Sequence, residues 1–209
     1  MFTRDHGAAS GAHNSQRGFT LIELSIVLVI IGLIIGGVLK GKDLIDSAKV
    51  TKAMQEIEAY STAFSAYRER YNVDARRDFS INRFGIENNA EASVWERLRT
   101  AGLIPLAAGA STITNAAPQH TFNGNISVLD ASTAMTADSA ALGTTNETAL
   151  CFVDLPASAA AAIDAKFDDG VANSGNIRAA TQSTRGTAVT ASASSNFGQD
   201  LTTLCVLIQ

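Results

Sequence analysis

The stretch RGFTLIELSIVLVIIGLIIGGVLK, residues 17–40, decides the fold of this chain. Sixteen consecutive uncharged residues, Leu24 to Leu39, follow directly after Glu23. With the apolar residues just before Glu23, the run reaches the length of about 20 residues that a membrane-spanning helix needs. An ionised carboxylate among lipid tails is costly unless it finds a partner. The carboxylate of Glu23 at the amino end of this run therefore indicates a functional group.

This junction closely resembles the prepilin signal of type IV pilins and of the pseudopilins of type II secretion. Glycine, phenylalanine, threonine, glutamate and an unbroken apolar continuation fall in register from Gly18 onward. The resemblance implies that a membrane prepilin peptidase cleaves between Gly18 and Phe19 and that Phe19 is N-methylated. It also implies that Glu23 acts in assembly, where it neutralises the positive amino terminus of a neighbouring subunit in the filament core.

An ordinary secretory signal and a plain single-pass anchor are the alternative interpretations of the apolar run. A secretory signal places its apolar core before the cleavage site, so the core is removed with the peptide. Here the candidate cleavage site, after Gly18, precedes the core, and the mature chain retains it. A plain anchor has no use for Glu23. The prepilin interpretation is therefore preferred.

Three parts of the chain follow from this interpretation. Residues 1–18 are a leader to be removed, residues 19–71 a long helix, and residues 72–209 a globular head. Within the helix, residues 19–39 are the transmembrane segment and filament core. Positive charge before the apolar run, from Arg4 and Arg17, fits a leader that stays in the cytoplasm. We expect the precursor in the bacterial inner membrane and the mature subunit in an extracellular filament or a periplasmic pseudopilus.

The long helix is predicted to change character after Lys40, where charged residues bring it into water. Apolar and aromatic residues recur there at spacings of three and four: Ile57, Tyr60, Phe64, Tyr67 and Tyr71. They define one face of an amphipathic helix, on which we predict that a β-sheet packs. In the apolar half, Gly32 and Gly36 either permit close helix approach or mark a point where the helix unwinds.

The head is predicted to combine short strands and helices. Helices are expected from Glu91 to Ala101 and from Leu155 to Phe167, and Trp95 in the first is interpreted as a core anchor. The candidate strands are Asn125–Leu129, Ala149–Val153 and Leu204–Ile208. Residues 131–148 suit strands and surface loops, or partial disorder. The fold class is therefore α+β and type IV pilin-like: a long protruding amino-terminal helix packed on a small antiparallel β-sheet, with a disulfide-bounded carboxy-terminal loop.

The chain has two cysteines, Cys151 and Cys205. Export puts both in an oxidising compartment, where an even number favours a disulfide over two free thiols. Many type IV pilins close a carboxy-terminal loop in this way, so the resemblance implies the same pairing here.

One carboxylate cluster, Asp164, Asp168 and Asp169, precedes Gly170. Oxygen ligands of this type bind calcium, but their spacing does not match an EF-hand loop. A helix end followed by an Asp-Gly turn explains the same residues and is preferred, while calcium binding stays open. No nucleophile elbow, phosphate loop or zinc signature occurs, and the three histidines are widely spaced. No enzymatic activity, cofactor or metal is therefore expected.

The expected function is that of a structural subunit in a type IV pilus, a homo-oligomeric or mixed helical filament with other pilins. Its further partners are the prepilin peptidase and an inner-membrane assembly machinery. A pseudopilin of type II secretion is the first alternative. A membrane-anchored adhesin or binding module, which would keep its leader, is the second. The formal net charge of −4 gives no support to nucleic-acid binding.

Overall fold

The computed structural model describes residues 18–76, 92–106, 116–132, 134, 142–144, 147–182, 197 and 201–208. The chain divides into two compact units, one ending at Ile45 and the other beginning at Asp46. Its described elements are, in chain order, α1 (Leu21–Tyr71), α2 (Ala92–Thr100), β1 (Ile126–Asp130), β2 (Thr148–Pro156), α3 (Ala157–Phe167), β3 (Ile177–Gln182) and β4 (Leu201–Ile208). The predicted leader lies outside the described residues, apart from Gly18.

Helix α1 has a different environment in each unit. In the first unit its apolar side chains are exposed, as expected for a helix that is apolar on all sides and lacks a protein partner. In the second unit one face is buried, and its buried residues are Ala53, Ile57, Ala63, Phe64 and Tyr67. This face shares one hydrophobic core with the strands. The predicted apolar face of the helix and its packing against a sheet are therefore confirmed.

The strands form one antiparallel sheet, in which the four described strands lie in the order β1-β2-β4-β3. Strand β2 is buried from Thr148 to Leu155 because it lies inside the sheet, between β1 and β4. Strand β4 is also an inner strand, since it pairs with both β2 and β3. The sheet therefore has two buried inner strands that come from distant parts of the sequence.

Helix α2 contributes the largest side chain of the core. Trp95 is 1% exposed, and its ring meets two aromatic rings of α1 edge to face. The ring centroids are 5.6 Å apart for Tyr60 and 6.1 Å apart for Phe64, within the range that aromatic pairs favour. The interpretation of Trp95 as a core anchor is confirmed.

The segment that follows α1 is tied to the sheet by side-chain contacts. The Thr148 hydroxyl donates a hydrogen bond to the Asp74 carboxylate, over 3.0 Å. Arg76 forms an ion pair with Asp130 at 2.9 Å. These contacts connect the end of the helix to the β1–β2 side of the sheet.

Within the described part of the chain, the predicted elements agree with the structure, with one omission. The three predicted strands are β1, β2 and β4, and the two short predicted helices are α2 and α3, with ends shifted by a few residues. Strand β3 was not predicted. Most of residues 131–148 lies outside the described part of the chain, so the prediction for that stretch is not tested.

Candidate functional site

The first candidate site is the start of α1. The carbonyl oxygen of Thr20 accepts the first helical hydrogen bond, from the Leu24 amide at 3.2 Å, so Thr20 is the N-cap. The Glu23 carboxylate accepts two hydrogen bonds from Thr20, from its amide at 2.8 Å and from its hydroxyl at 2.9 Å. The Glu23 amide in turn donates to the Thr20 hydroxyl at 3.3 Å. Thr20 and Glu23 thus form a capping box.

This capping box gives Glu23 a local role that the sequence prediction did not include. It satisfies amide groups that otherwise have no partner at a helix start. It also places a negative charge at the amino end of α1, which the helix dipole favours. The spacing Thr-x-x-Glu before an apolar run is a known signature of this motif, so residues 20–23 contained the signal. Gly18 and Phe19 precede the helix and are exposed.

The apolar surface that follows is the second part of this site. Large apolar side chains from Leu24 to Leu39 are between 46% and 72% exposed. Gly32, Gly36 and Gly37 have open space where a side chain would begin. Within the described residues, α1 is the one helix whose length and composition would allow it to cross a membrane. Such a surface needs lipid or other apolar helices around it.

The two cysteines lie directly opposite each other in the register of β2 and β4. They form a disulfide that joins positions 54 residues apart in the sequence. Both residues are fully buried. The bond therefore links the two inner strands of the sheet, as the resemblance implied.

The three carboxylates of the acidic cluster come together at the end of α3. One oxygen from each of Asp164, Asp168 and Asp169 lies within 4.8 Å of the others. Asp164 is fully buried, and neither of its carboxylate oxygens has a geometric hydrogen-bond partner among the described residues. Burial, together with the charges of Asp169 and Asp168, raises the pKa of Asp164 to about 6, although the nearby Gly170 amide offsets part of this rise.

A groove of about 540 Å³ lies in the head, lined by residues of α1 and α2 and by the turn that contains His120. Two of its charged side chains are engaged with the backbone. The Glu56 carboxylate accepts a hydrogen bond from the Thr121 amide at 3.1 Å, and the Arg99 side chain donates to the Pro105 carbonyl at 3.4 Å. Burial raises the pKa of Glu56. These contacts hold the turn and α2 in place, and they do not form a catalytic arrangement.

His120 in this groove is buried and held at both ring nitrogens. Nε2 lies 2.7 Å from the Val153 carbonyl oxygen, and Nδ1 accepts a hydrogen bond from the Phe122 amide at 3.2 Å. Because a carbonyl only accepts, Nε2 carries the proton and the ring is neutral. Burial lowers the pKa of His120, against smaller opposing effects of Val153 and Asp154.

Comparison with known proteins gives a family match at the amino-terminal site. Residues 13–39 match the model of the prokaryotic N-terminal methylation motif. No curated protein matches this sequence. Among solved structures, the major type IV pilin PilA1 from Clostridium difficile is similar, with 13% identity and a TM-score of 0.42. The match covers 78% of this chain and 96% of that one.

The motif match confirms the resemblance to type IV pilins and pseudopilins that the sequence predicts. It contains Gly18, Phe19, Thr20 and Glu23, the residues from which the resemblance was drawn. The matched residues also include the apolar part of α1 up to Leu39.

Proposed function

We propose that this chain is a structural subunit of a type IV pilus, matured by cleavage between Gly18 and Phe19 and by N-methylation of Phe19. The single observation that carries the proposal is the motif match over residues 13–39, which begins before the cleavage site and ends where the apolar run ends. In this role the precursor lies in the inner membrane, and the mature subunit joins a filament with copies of itself or with other pilins.

The exposed apolar surface of α1 supports this role. In the precursor, lipid covers the surface from Leu24 to Leu39, and in the filament the same surface packs against α1 of neighbouring subunits. Transfer from lipid to protein loses no hydrophobic burial, so close packing and polar contacts decide the association. Gly32 and Gly36 leave room for such close packing.

Glu23 is the polar group that directs this association in our proposal. Its carboxylate pairs with the amine of Phe19 from a neighbouring subunit inside the filament core. Burying a charge is tolerable only with its partner, so the pair selects one axial register among many apolar ones. The capping box leaves lone pairs on the Glu23 carboxylate for this contact, because two donors do not saturate two carboxylate oxygens.

The capping box also offers a competing explanation for Glu23, and two substitutions separate the two. Glu23→Gln keeps a side chain that completes a capping box but removes the charge. Glu23→Ala removes both the capping side chain and the charge. If the charge directs assembly, both variants reach the membrane and are cleaved, and both lower filament yield at least about tenfold.

The measurement is the amount of the chain in sheared surface filaments and in membranes, with intact mass spectrometry of both fractions. Ser25→Ala is the matched control, since it changes a neighbouring polar residue whose hydroxyl bonds only within the helix, to the Ile22 carbonyl. Normal filament yield from Glu23→Ala would sink the proposed role of Glu23. A normal filament yield from Glu23→Gln together with a low yield from Glu23→Ala would assign Glu23 to capping instead.

The same mass spectra test the function itself. A chain that begins with methylated Phe19 in surface filaments supports the pilus, and its abundance separates a major from a minor subunit. The same processed chain found in membranes alone supports the alternative, a pseudopilin of type II secretion. A chain that keeps its leader in both fractions contradicts the proposal and favours a membrane-anchored adhesin.

A further inference from the structure

We propose that the end of α3 and the loop that follows it form a calcium-binding site, with Asp164, Asp168 and Asp169 as carboxylate ligands. This inference does not depend on the proposed function, since it concerns a site in the head. It rests on the meeting of three acidic side chains and on the burial of Asp164, whose carboxylate oxygens accept no close hydrogen bond from the described residues.

Asp164 is the observation that separates this cluster from an ordinary acidic surface. Its side chain is fully buried, and both of its carboxylate oxygens lack a hydrogen-bond partner among the described residues. A buried acceptor without a partner is strongly destabilising, and a buried charge more so. A cation bound by Asp164 supplies both the counter-charge and the missing contacts.

The carboxylates of Asp168 and Asp169 are held in place by hydrogen bonds from the loop that follows α3 and from the start of β3. The Ile177 amide, at the start of β3, donates to Asp168 at 2.8 Å. The Val171 amide donates to Asp169 at 2.8 Å, and the Ser174 hydroxyl also donates to Asp169. One oxygen of Asp168 accepts the bond from Ile177, and the two oxygens of Asp169 accept one bond each. These bonds fix the orientation of both carboxylates, as outer-shell hydrogen bonds do around metal ligands. Both residues keep lone pairs for a cation.

The backbone around the cluster is shaped to fit these side chains. Gly175 has a φ of +71°, and a Cβ atom there would collide with the Asp168 carboxylate. The loop thus approaches the carboxylate as closely as glycine allows.

The position of the cluster on α3 adds an electrostatic argument for a cation. The carboxyl end of a helix carries the negative end of the helix dipole, so carboxylates there are unfavourable and cations are favourable. Three aspartates meet at this end, while Lys166 is the basic residue in the last turn of α3. A bound divalent cation reverses the sign of this interaction.

Calcium is the divalent cation that fits the donors and their spacing best. Calcium binds oxygen ligands at about 2.3–2.6 Å, so ligands on opposite sides are about 4.6–5.2 Å apart. The three oxygens lie within 4.8 Å of one another, which agrees with this range. Magnesium demands a nearly regular octahedron, keeps several of its waters and is usually bound by one or two carboxylates, so three carboxylates that meet, one of them buried, suit calcium better.

The test uses the processed full-length chain in detergent, stripped with a chelator and then titrated with calcium chloride. We expect one calcium ion per chain by equilibrium dialysis, with a dissociation constant of about 0.1–1 mM, as in extracellular calcium modules. At ten times that concentration, the melting temperature should rise by about 3–6 °C. Wild-type protein that binds no calcium up to about 10 mM overturns the proposal.

Substitutions then locate the site. Asp164→Asn should weaken calcium binding at least tenfold and remove the thermal shift, and Glu58→Gln, an exposed carboxylate on α1, should change neither. Asp169→Asn keeps the oxygen that bonds to Val171 and should also weaken binding, which keeps the test valid if Asp164→Asn does not fold. Wild-type affinity in Asp169→Asn, or in a folded Asp164→Asn, contradicts the proposed ligands. An equal response to magnesium chloride contradicts the choice of calcium.

Discussion

Thr20 donates two hydrogen bonds to the Glu23 carboxylate, one from its amide and one from its hydroxyl. A single chain therefore provides partners for this carboxylate before any neighbour arrives. In our proposal, this arrangement explains how the precursor tolerates Glu23 beside its membrane-spanning segment, where a carboxylate without a partner is costly. Assembly in our proposal adds the amine of a neighbour to a group that is already positioned.

Thr20→Val tests whether the capping box is itself needed for assembly. Valine keeps the shape of threonine but lacks the hydroxyl, so the helix start loses about 1 kcal/mol of stabilisation. We expect faster hydrogen exchange at the first amides of α1 and a filament yield within about twofold of wild type, since the charge of Glu23 remains. A yield as low as that of Glu23→Ala would show that the cap is needed for assembly.

The disulfide between Cys151 and Cys205 is expected to dominate the stability of the head. In the chain-entropy model, a bridge between positions 54 residues apart stabilises the folded state by about 4 kcal/mol. Replacing both cysteines by serine should therefore lower the melting temperature by about 8–16 °C. The double variant, unlike wild type, should melt at the same temperature with and without reductant. A reductant-insensitive wild-type chain would contradict this prediction.

His120 should make the head less stable in mild acid. Its pKa is lowered in the folded state by burial, so the unfolded chain binds more protons between that lowered value and about 6.5. Stability therefore falls as the pH decreases through this range. His120→Gln keeps a donor for the Val153 carbonyl and cannot titrate.

The measurement for His120 is the urea midpoint of wild type and His120→Gln at pH 7.5 and pH 5.5. Glu56 and Asp164, whose pKa values are raised, act in the opposite direction in both proteins, so the difference between the proteins isolates His120. We expect wild type to lose more stability than the variant on acidification. Equal losses of stability in the two proteins would contradict a neutral His120 ring that is hydrogen-bonded at both nitrogens.

Gly124 is required by the contact between His120 and Val153. A Cβ atom at position 124 would collide with the Val153 carbonyl oxygen and with Nε2 of His120. Gly124→Ala must break that hydrogen bond or displace the backbone of β2, and we expect a loss of about 2–4 kcal/mol. Gln119→Ala, at an exposed position of the same turn, should change the urea midpoint little. An unaltered midpoint in Gly124→Ala would contradict the observed packing.

Large apolar residues made most of the fold predictable. Strands β1, β2 and β4 contain runs of branched and aromatic residues, and the spacing of aromatic residues in α1 marked its buried face. Strand β3 reads Ile-Arg-Ala-Ala-Thr-Gln, and one large apolar residue is too weak a signal for a strand. Its conformation comes from pairing with β4 along its whole length, which is a contact distant in sequence.

The acidic cluster is the candidate site whose geometry the sequence did not predict. The order of Asp164, Asp168 and Asp169 is compatible with a plain helix end, and that interpretation was preferred. What the sequence does not show is that Asp164 is buried and that its carboxylate meets those of Asp168 and Asp169, because both depend on how the chain folds around the end of α3. The bond between Ile177 and Asp168 closes this loop over nine residues.

The inner position of β4 has a consequence for the timing of folding on export. Strand β4 follows every other described element in the sequence, yet it lies between β2 and β3. A chain that crosses the membrane with its amino end anchored delivers β4 after all of its partners. Until then β3 lacks the described strand with which it pairs, and Cys151 lacks Cys205. In our proposal, the sheet of the head is therefore completed only after β4 has crossed the membrane.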